Sequence, residues 1–222
     1  MRVMRFQVKW SKYAFSSGLF SSVYRNYPQD QAGNPLPWIS LACIGFLDKL
    51  ELDDYSVCEL GSGASTHFWS KRCFKVATFE HSQEWLDKII SGNSTSNVTG
   101  TYLEEDFNFS NFNFSGYDII MIDGLDRTSA VLRLHKQVME NQVSPKLIIF
   151  DNADWYPKSV ALLSEVVNYI PIDFEGFPPM GMAGTLTRVY LRIDGDLSWL
   201  RSVRAVSAQD KDKNPESLYS LE

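Results

Sequence analysis

Five acidic residues follow short apolar segments in this chain of 222 residues. They are Glu59, Glu80, Asp106, Asp123 and Asp151. The carboxyl ends of parallel strands meet at one edge of a sheet, so these acids should line one cleft if the segments are such strands. Carboxylates gathered in one cleft repel one another unless they bind something. The pattern therefore predicts a binding site that favours a cationic ligand.

A glycine-containing turn follows the first of these acids. Gly61 and Gly63 remove side chains where the backbone turns tightly and where a ligand approaches it closely. The third glycine of the dinucleotide-binding fingerprint is replaced by Ser65 or Thr66, depending on the spacing, which disfavours a pyrophosphate site. Glu59 would repel a diphosphate, and it suits an amino group or a sulfonium.

The next two acids suit an adenosine group. Glu80 lies 21 residues after Glu59, where a carboxylate can accept hydrogen bonds from both ribose hydroxyls. Asp106 could accept from an adenine amino group, and Phe107 beside it could cover the ring. Taken singly, each acid could instead be an ordinary solvated loop residue.

Apolar segments alternate with helix-like segments between and around these residues. Continuous apolar runs rather than alternating ones indicate strands buried on both faces. Strands are predicted at 55–60, 73–80, 101–105, 117–123, 146–151, 170–177 and 185–193. Helices are predicted at 39–50, 66–72, 82–91, 128–143 and 158–169. The predicted fold class is α/β, a doubly wound, mostly parallel seven-stranded sheet with an antiparallel C-terminal hairpin.

Charge and composition divide the chain into three parts. A basic N-terminal arm or lid is predicted at 1–37, the main domain at 38–205, and a polar, flexible tail at 206–222. Residues 1–29 hold five basic residues and no acid, whereas the remainder holds 16 basic and 27 acidic residues. Pro37-Trp38 and the proline- and methionine-rich loop 177–184 are candidate covers of the site.

The same features exclude several classes of protein. An acidic main domain argues against nucleic acid as a partner, since phosphate contacts need a basic surface. The longest apolar run, Pro37–Leu47, is too short to span a membrane. The N-terminus has no clean secretion signal, and the three cysteines form no Cys-x-x-Cys motif. A cytoplasmic protein is therefore expected, and a homodimer is compatible with the sequence.

Three motifs resemble those of class I S-adenosylmethionine-dependent methyltransferases. They are ELGSGAST (59–66), VATFEHS (76–82) and YDIIMIDG (117–124), within a similarity that covers roughly residues 38–193. The resemblance implies a Rossmann-like methyltransferase fold with S-adenosylmethionine as cofactor. It implies that the cofactor contacts Glu59, Gly61, Ser62, Gly63, Ser65, Thr66, Glu80, His81, Asp106, Phe107 and Asp123. Among these, Glu80 would hold the ribose, Asp106 the adenine amino group, and His81 would flank the ring.

A further resemblance concerns a metal. IDG (122–124) and IIFDNADW (149–156) resemble the catechol-type, cation-dependent O-methyltransferases. The resemblance implies that Asp123, Asp151 and Asn152 bind Mg²⁺ or another divalent cation, which prefers hard oxygen ligands. Such a cation would hold and acidify a substrate hydroxyl. Alternatively, the Asp-Asn pair only forms a turn before the next helix.

The chain departs from that pattern at the position of the general base. Those enzymes carry a lysine three residues after the first acid, where this chain has Asp126. Asp123 and two residues near it are therefore catalytic candidates. Asp126 could act as a base, and Arg127 could bind an anionic substrate through two hydrogen bonds. Either could instead be a charge at a helix N-terminus.

The expected function is methyl transfer from S-adenosylmethionine to an oxygen atom of a small-molecule acceptor. A divalent cation is a candidate to assist this reaction. Two alternatives stay open. One is a nicotinamide-dependent oxidoreductase, although the third glycine and a Tyr-x-x-x-Lys pair after the fourth strand are absent. The other is a non-catalytic binding module with a methyltransferase-like fold.

Overall fold

A seven-stranded sheet forms the centre of the computed structural model, which describes residues 7–8, 11–12, 14–15 and 17–200. Its strands are β1 (Ser56–Leu60), β2 (Lys75–Glu80), β3 (Val98–Tyr102), β4 (Ile119–Ile122), β5 (Leu147–Phe150), β6 (Tyr169–Gly176) and β7 (Thr185–Arg192). The α-helices are α1 (Leu19–Arg25), α2 (Leu41–Leu47), α3 (Ala64–Ser70), α4 (Gln83–Ser91), α5 (Arg127–Met139) and α6 (Pro157–Leu163).

The strand order across the sheet is β3-β2-β1-β4-β5-β7-β6. β1 to β5 are parallel, and β7 pairs antiparallel with both β5 and β6. The predicted fold class is therefore confirmed: an α/β sheet, mostly parallel, with an antiparallel C-terminal hairpin.

Each face of the sheet is covered by its own hydrophobic core. On β4, Ile120 and Ile122 point into the core that α5 and α6 cover, and Ile119 and Met121 point into the core under α2 and α3. Successive side chains of a strand face opposite sides. A strand covered on both sides must therefore be apolar at every position, which is why these segments show no alternation in the sequence.

The third strand does not lie where the sequence predicts it. The predicted segment is 101–105, and the strand is Val98–Tyr102. A Cβ on Gly100 would lie 2.8 Å from side-chain atoms of Ile90, so the glycine lets α4 pack closely against this strand. Its glycine and threonines form no apolar run, because four of its five residues are exposed at a sheet edge and the fifth is only half-buried.

The ends of the chain are less predictable than the centre. Helix α1 lies within the segment that was predicted only as a basic arm. The predicted tail 206–222 lies outside the described residues. Among the residues that the structure describes, no helix is both long enough and apolar enough to cross a membrane.

Candidate functional site

Two turns meet at the carboxyl ends of the neighbouring strands β1 and β4. The connections from these strands run to opposite sides of the sheet, and such a switch point opens a crevice for a ligand. Gly61 has a φ of 94°, and a Cβ there would lie 2.8 Å from backbone atoms of Gly124. Only glycine fits this left-handed, tightly packed position without strain.

A cavity of about 1020 Å³ opens at this crevice. Cavities of this size hold small-molecule ligands and cofactors. The first turn and the start of α3 contribute Gly61, Ser62, Gly63, Ala64 and Ser65. The second turn contributes Asp123, Gly124, Leu125, Asp126 and Arg127. Glu80 lies beside the first turn, at the end of β2, so three of the five predicted strand-end acids, Glu59, Glu80 and Asp123, line this cavity or lie next to its lining.

Glu59 is one of them, and it lies fully buried at the end of β1, two residues before Gly61. Its Oε2 accepts a hydrogen bond of 2.5 Å from the Thr66 hydroxyl, while Oε1 receives none from the described residues. Burial raises the pKa of this carboxyl to about 7, and the nearby hydroxyls of Ser65, Thr66 and Thr78 oppose the rise. A cation in the adjacent cavity would stabilise the charged form.

Glu80 ties the glycine turn to the end of β2. Its Oε2 accepts from the Ser62 N–H at 3.0 Å and from the Ser62 hydroxyl at 3.2 Å. Its Oε1 accepts from the N–H groups of His81 and Ser82 at 2.8 and 3.0 Å. This carboxylate is therefore held in a fixed orientation at the cavity wall.

Trp85 is a residue of this wall that the sequence reasoning missed. Its indole Nε1 donates to the Ser62 carbonyl at 2.8 Å, and its ring lines the cavity. It lies in the first turn of α4, three residues after the capping Ser82. The helix pattern predicted its helical position, but nothing in the pattern showed that it folds over the glycine turn.

Five predicted cofactor residues do not line the cavity: Glu59, Thr66, His81, Asp106 and Phe107. Thr66 donates a hydrogen bond to the buried Glu59. Asp106 is exposed in the turn after β3, and Phe107 packs edge-on against Phe109 with ring centroids 5.1 Å apart. The expected contacts of His81, Asp106 and Phe107 with an adenine ring stay predictions.

Arg127 is bonded entirely within the protein. Its Nε donates to the Gly124 carbonyl at 3.0 Å, and Nη2 donates to the carbonyl and Oδ1 of Asp123, both at 2.8 Å. Nη1 donates to the Asp151 carbonyl at 2.5 Å and to Asn152 Oδ1 at 2.9 Å. A guanidinium has five N–H donors. All five are used, so in this arrangement none is left for an anionic substrate.

The expected divalent-cation site is not formed. Arg127 bonds to Asp123 and Asn152, and it thereby takes the position between the expected ligands that a cation would need. The carboxyl of Asp151 accepts a 2.5 Å hydrogen bond from the Thr187 hydroxyl instead of joining them. Within the described residues, no group of three or more His, Cys, Asp or Glu side chains could hold a metal ion. The residues do not fit the catechol-type pattern, and no step is assigned to a metal.

Arg127 also counters the cost of burying two carboxylates, those of Asp123 and Asp151. Burial raises the pKa of Asp123, and the neighbouring Asp151 carboxyl raises it further. Burial likewise raises the pKa of Asp151, while Arg127 acts against both shifts. The guanidinium thus holds the turns after β4 and β5 together.

Asp126 lies at the start of α5 and lines the cavity. It adopts a left-handed conformation with a φ of 50°, and its Oδ1 accepts from the Ser129 N–H at 3.3 Å. The sequence allowed two roles for Asp126, a base or a charge at a helix N-terminus, and the structure places it at the N-terminus of α5. Because the side chain is also exposed at the cavity, a role as a base stays a prediction.

The far wall of the cavity is largely apolar. It contains Asn26, Tyr27, Pro28, Trp38, Tyr156 and Met180. Trp38 and Met180 belong to the segments that the sequence singled out as candidate covers. Asn26, Tyr27 and Pro28 belong to the N-terminal arm, but the described basic residues of that arm, Lys12 and Arg25, do not reach the cavity.

Comparisons with known proteins find similarity in structure only. No protein-family model matches the chain, and no curated protein matches it. It is similar to the N-methyltransferase NodS from Bradyrhizobium japonicum in complex with S-adenosylhomocysteine, with 12% identity, a TM-score of 0.43, and coverage of 62% of this chain and 78% of that one. It is similar to the precorrin-6y C5,15-methyltransferase from Geobacter metallireducens, with 12% identity and a TM-score of 0.48, over 68% of this chain and 87% of that one. It is also similar to an rRNA methylase from Streptococcus thermophilus, with 10% identity and a TM-score of 0.47, over 67% of this chain and 92% of that one.

Proposed function

We propose that this chain is an S-adenosylmethionine-dependent methyltransferase that acts on a small-molecule acceptor at oxygen. One observation carries the proposal: the crevice between β1 and β4 combines a close-packed glycine turn with a buried, half-paired carboxyl beneath it. Gly61 lets the two turns pack closely and lines the cavity, and Glu59 is a buried acid two residues before it.

The charge of the site favours a sulfonium cofactor over a dinucleotide. Glu80, Asp123 and Asp126 line the cavity, and Glu59 lies behind it. Arg127 pairs with Asp123 and is bonded within the protein, and Lys88 also lines the cavity. A diphosphate placed here would meet the carboxylates of Glu80 and Asp126, whereas a sulfonium or an ammonium would be attracted to them. The excess of acids over bases therefore weighs against the nicotinamide-dependent alternative.

The residues have distinct parts in this proposal. The backbone of Gly61 to Gly63 receives the amino acid end of the cofactor, and Trp85 covers the turn. Glu80 accepts from the ribose, whose hydroxyl replaces that of Ser62 on Oε2. When bound, S-adenosylmethionine supplies an electrophilic methyl group for in-line transfer to an acceptor oxygen. The protein contributes mainly by holding that oxygen in line with the methyl group.

The acceptor would lie against the apolar wall, which includes Tyr27, Trp38 and Tyr156. In this proposal, residues 1–37 contribute part of that wall and so act as a cover of the site. Asp123 and Asp126 each use Oδ1 within the protein, which leaves Oδ2 to accept a proton from the acceptor. Nucleic acid is not expected as the acceptor, because these carboxylates would repel its phosphates.

The cofactor assignment can be tested at Glu80. In Glu80→Gln, one oxygen becomes an amide that cannot accept from a hydroxyl. We expect the affinity for S-adenosylhomocysteine, measured by isothermal titration calorimetry, to fall at least about tenfold, because a charge-assisted pair of hydrogen bonds is lost.

Glu84→Gln is the matched control, since Glu84 is an exposed carboxyl four residues later, in the first turn of α4. It should bind S-adenosylhomocysteine as the wild type does. Equal affinities of Glu80→Gln and Glu84→Gln would contradict the ribose role of Glu80.

A further inference from the structure

Helix α1 carries its apolar side chains outward. Phe20, Val23 and Tyr24 stand at positions i, i+3 and i+4 and therefore share one face. Their exposed fractions are 47%, 55% and 88%, whereas Ser22 on the opposite side is fully buried. A helix on the surface of a water-soluble domain normally has the reverse arrangement.

The contacts beneath α1 fix this orientation. The Ser22 hydroxyl donates to the Gln29 carbonyl at 2.8 Å and accepts from the Gln29 N–H at 2.9 Å. Gly18, with a φ of 85°, lies so close to the Gln29 backbone that a Cβ would be 2.4 Å from the Gln29 carbonyl oxygen. Rotating the helix to bury its apolar face would break both serine contacts.

The exposed apolar area extends beyond the helix. Val8 and Phe15 have exposed fractions of 52% and 55%. Two open clefts of about 530 and 540 Å³ lie along this area, and both are lined by Phe15 and Phe20. We call the continuous area formed by Val8, Phe15, Phe20, Val23 and Tyr24 the α1 surface.

The α1 surface lies in the most basic part of the chain. Residues 1–29 contain five basic residues and no acid, whereas the remainder has 16 basic and 27 acidic residues. Lys12 lines one of the two clefts and Arg25 lines the other. Exposed aromatic side chains bordered by lysine and arginine are typical of elements that lie at the interface of an anionic membrane.

We propose that the α1 surface binds an anionic lipid bilayer. Its aromatic and aliphatic side chains enter the boundary between headgroups and acyl chains, and the basic residues contact the lipid phosphates. Asn26, Tyr27 and Pro28 follow α1 directly and line the large cavity. Docking through α1 therefore brings the cavity close to the bilayer, where an apolar acceptor would be concentrated. The membrane contact does not depend on the identity of the cofactor.

Two other occupants fit the surface less well. A two-fold symmetric dimer would place the same surface of two copies face to face, and Lys12 and Arg25 of each copy would be brought towards those of the other. Nucleic acid would match the charge, but it would leave Val8 and Val23 without an apolar partner. A bilayer provides both the charge and the apolar environment.

The test is co-sedimentation of the full chain with lipid vesicles. We expect the protein to sediment with phosphatidylcholine vesicles that contain about 30 mol% phosphatidylserine, and at least about fivefold less with phosphatidylcholine alone. About 0.5 M NaCl should reduce the bound fraction, because the headgroup contacts are screened. The triple variant Phe15→Ser, Val23→Ser, Tyr24→Ser should lose most of the binding.

The control triple variant is Phe74→Ser, Leu132→Ser, Val167→Ser. These side chains have exposed fractions of 69%, 56% and 86% and lie outside the α1 surface. It should bind as the wild type does, and circular dichroism checks that both variants are folded. The proposal is overturned if the wild type does not bind anionic vesicles, or if the two triple variants lose vesicle binding equally. It is also overturned if the protein binds oligouridylate more tightly than vesicles. A wild-type dimer that the α1 triple variant abolishes would overturn it as well.

Discussion

Arg127→Met is expected to lower the free energy of unfolding by about 3–5 kcal/mol, the usual effect of removing one partner from a buried charged network. Methionine fills much of the space of the arginine stem but donates no hydrogen bond. The carboxyl of Asp123 and the carbonyls of Gly124 and Asp151 would lose their donors at once. Because the side chain of Arg127 is only 12% exposed, water can replace these donors only in part.

Urea unfolding followed by circular dichroism measures this effect. Arg72→Met is the matched control, because Arg72 pairs with Asp48 at 2.7 Å through side chains that are 29% and 48% exposed. An exposed pair of this kind contributes at most about 1 kcal/mol. Equal losses in the two variants would show that the contacts of Arg127 do not hold the turns after β4 and β5.

Glu59→Gln is expected to stabilise the protein relative to the wild type at neutral pH and above, with a gain that builds up between about pH 4.5 and 7. Glu59 has a folded-state pKa of about 7, above its ordinary value, because it is buried. Between about pH 4.5 and 7, the folded protein therefore holds a proton that the unfolded chain releases. Raising the pH through this window destabilises the wild type, by up to about 3 kcal/mol for this group.

The measurement is the melting temperature of the wild type and of Glu59→Gln at pH 5 and pH 8. The difference between them should be small at pH 5 and largest at pH 8. Glu84→Gln should follow the wild type at both values. A difference between Glu59→Gln and the wild type that does not change with pH would show that Glu59 does not hold a proton in the folded protein.

The sequence was sufficient to place the sheet and its acidic edge. A strand covered on both faces must be apolar throughout, so β1, β4 and β5 stand out as uninterrupted apolar runs that end at Glu59, Asp123 and Asp151. The edge strand β3 needs no such run, and its position was wrong by three residues. Local patterns predict an element well when burial constrains every one of its positions.

The direction of a side chain at the site was harder to predict. The sequence singled out Arg127 but not the inward direction of its guanidinium, which depends on left-handed backbone at Asp126 and Asn152. The φ values of these residues, 50° and 52°, turn the chain so that donors and acceptors meet. The same limit applies to Phe107, whose ring joins an aromatic cluster instead of the cavity.

Helix α1 shows a different limit. Its apolar residues at 20, 23 and 24 predict a buried face by the usual rule, and the structure turns that face outward. The pairing of Ser22 with Gln29 decides the orientation, and no periodicity within the helix reveals a contact seven residues away.

We propose that the crevice between β1 and β4 binds an adenosine cofactor with a positively charged sulfonium. Isothermal titration of the wild-type protein with S-adenosylmethionine, S-adenosylhomocysteine and NADH measures this binding. We expect both sulfur-containing ligands to bind with a Kd of about 10 µM or tighter, and NADH to bind at least about a hundredfold more weakly. Tighter binding of NADH, or no binding of S-adenosylmethionine and S-adenosylhomocysteine, would contradict it.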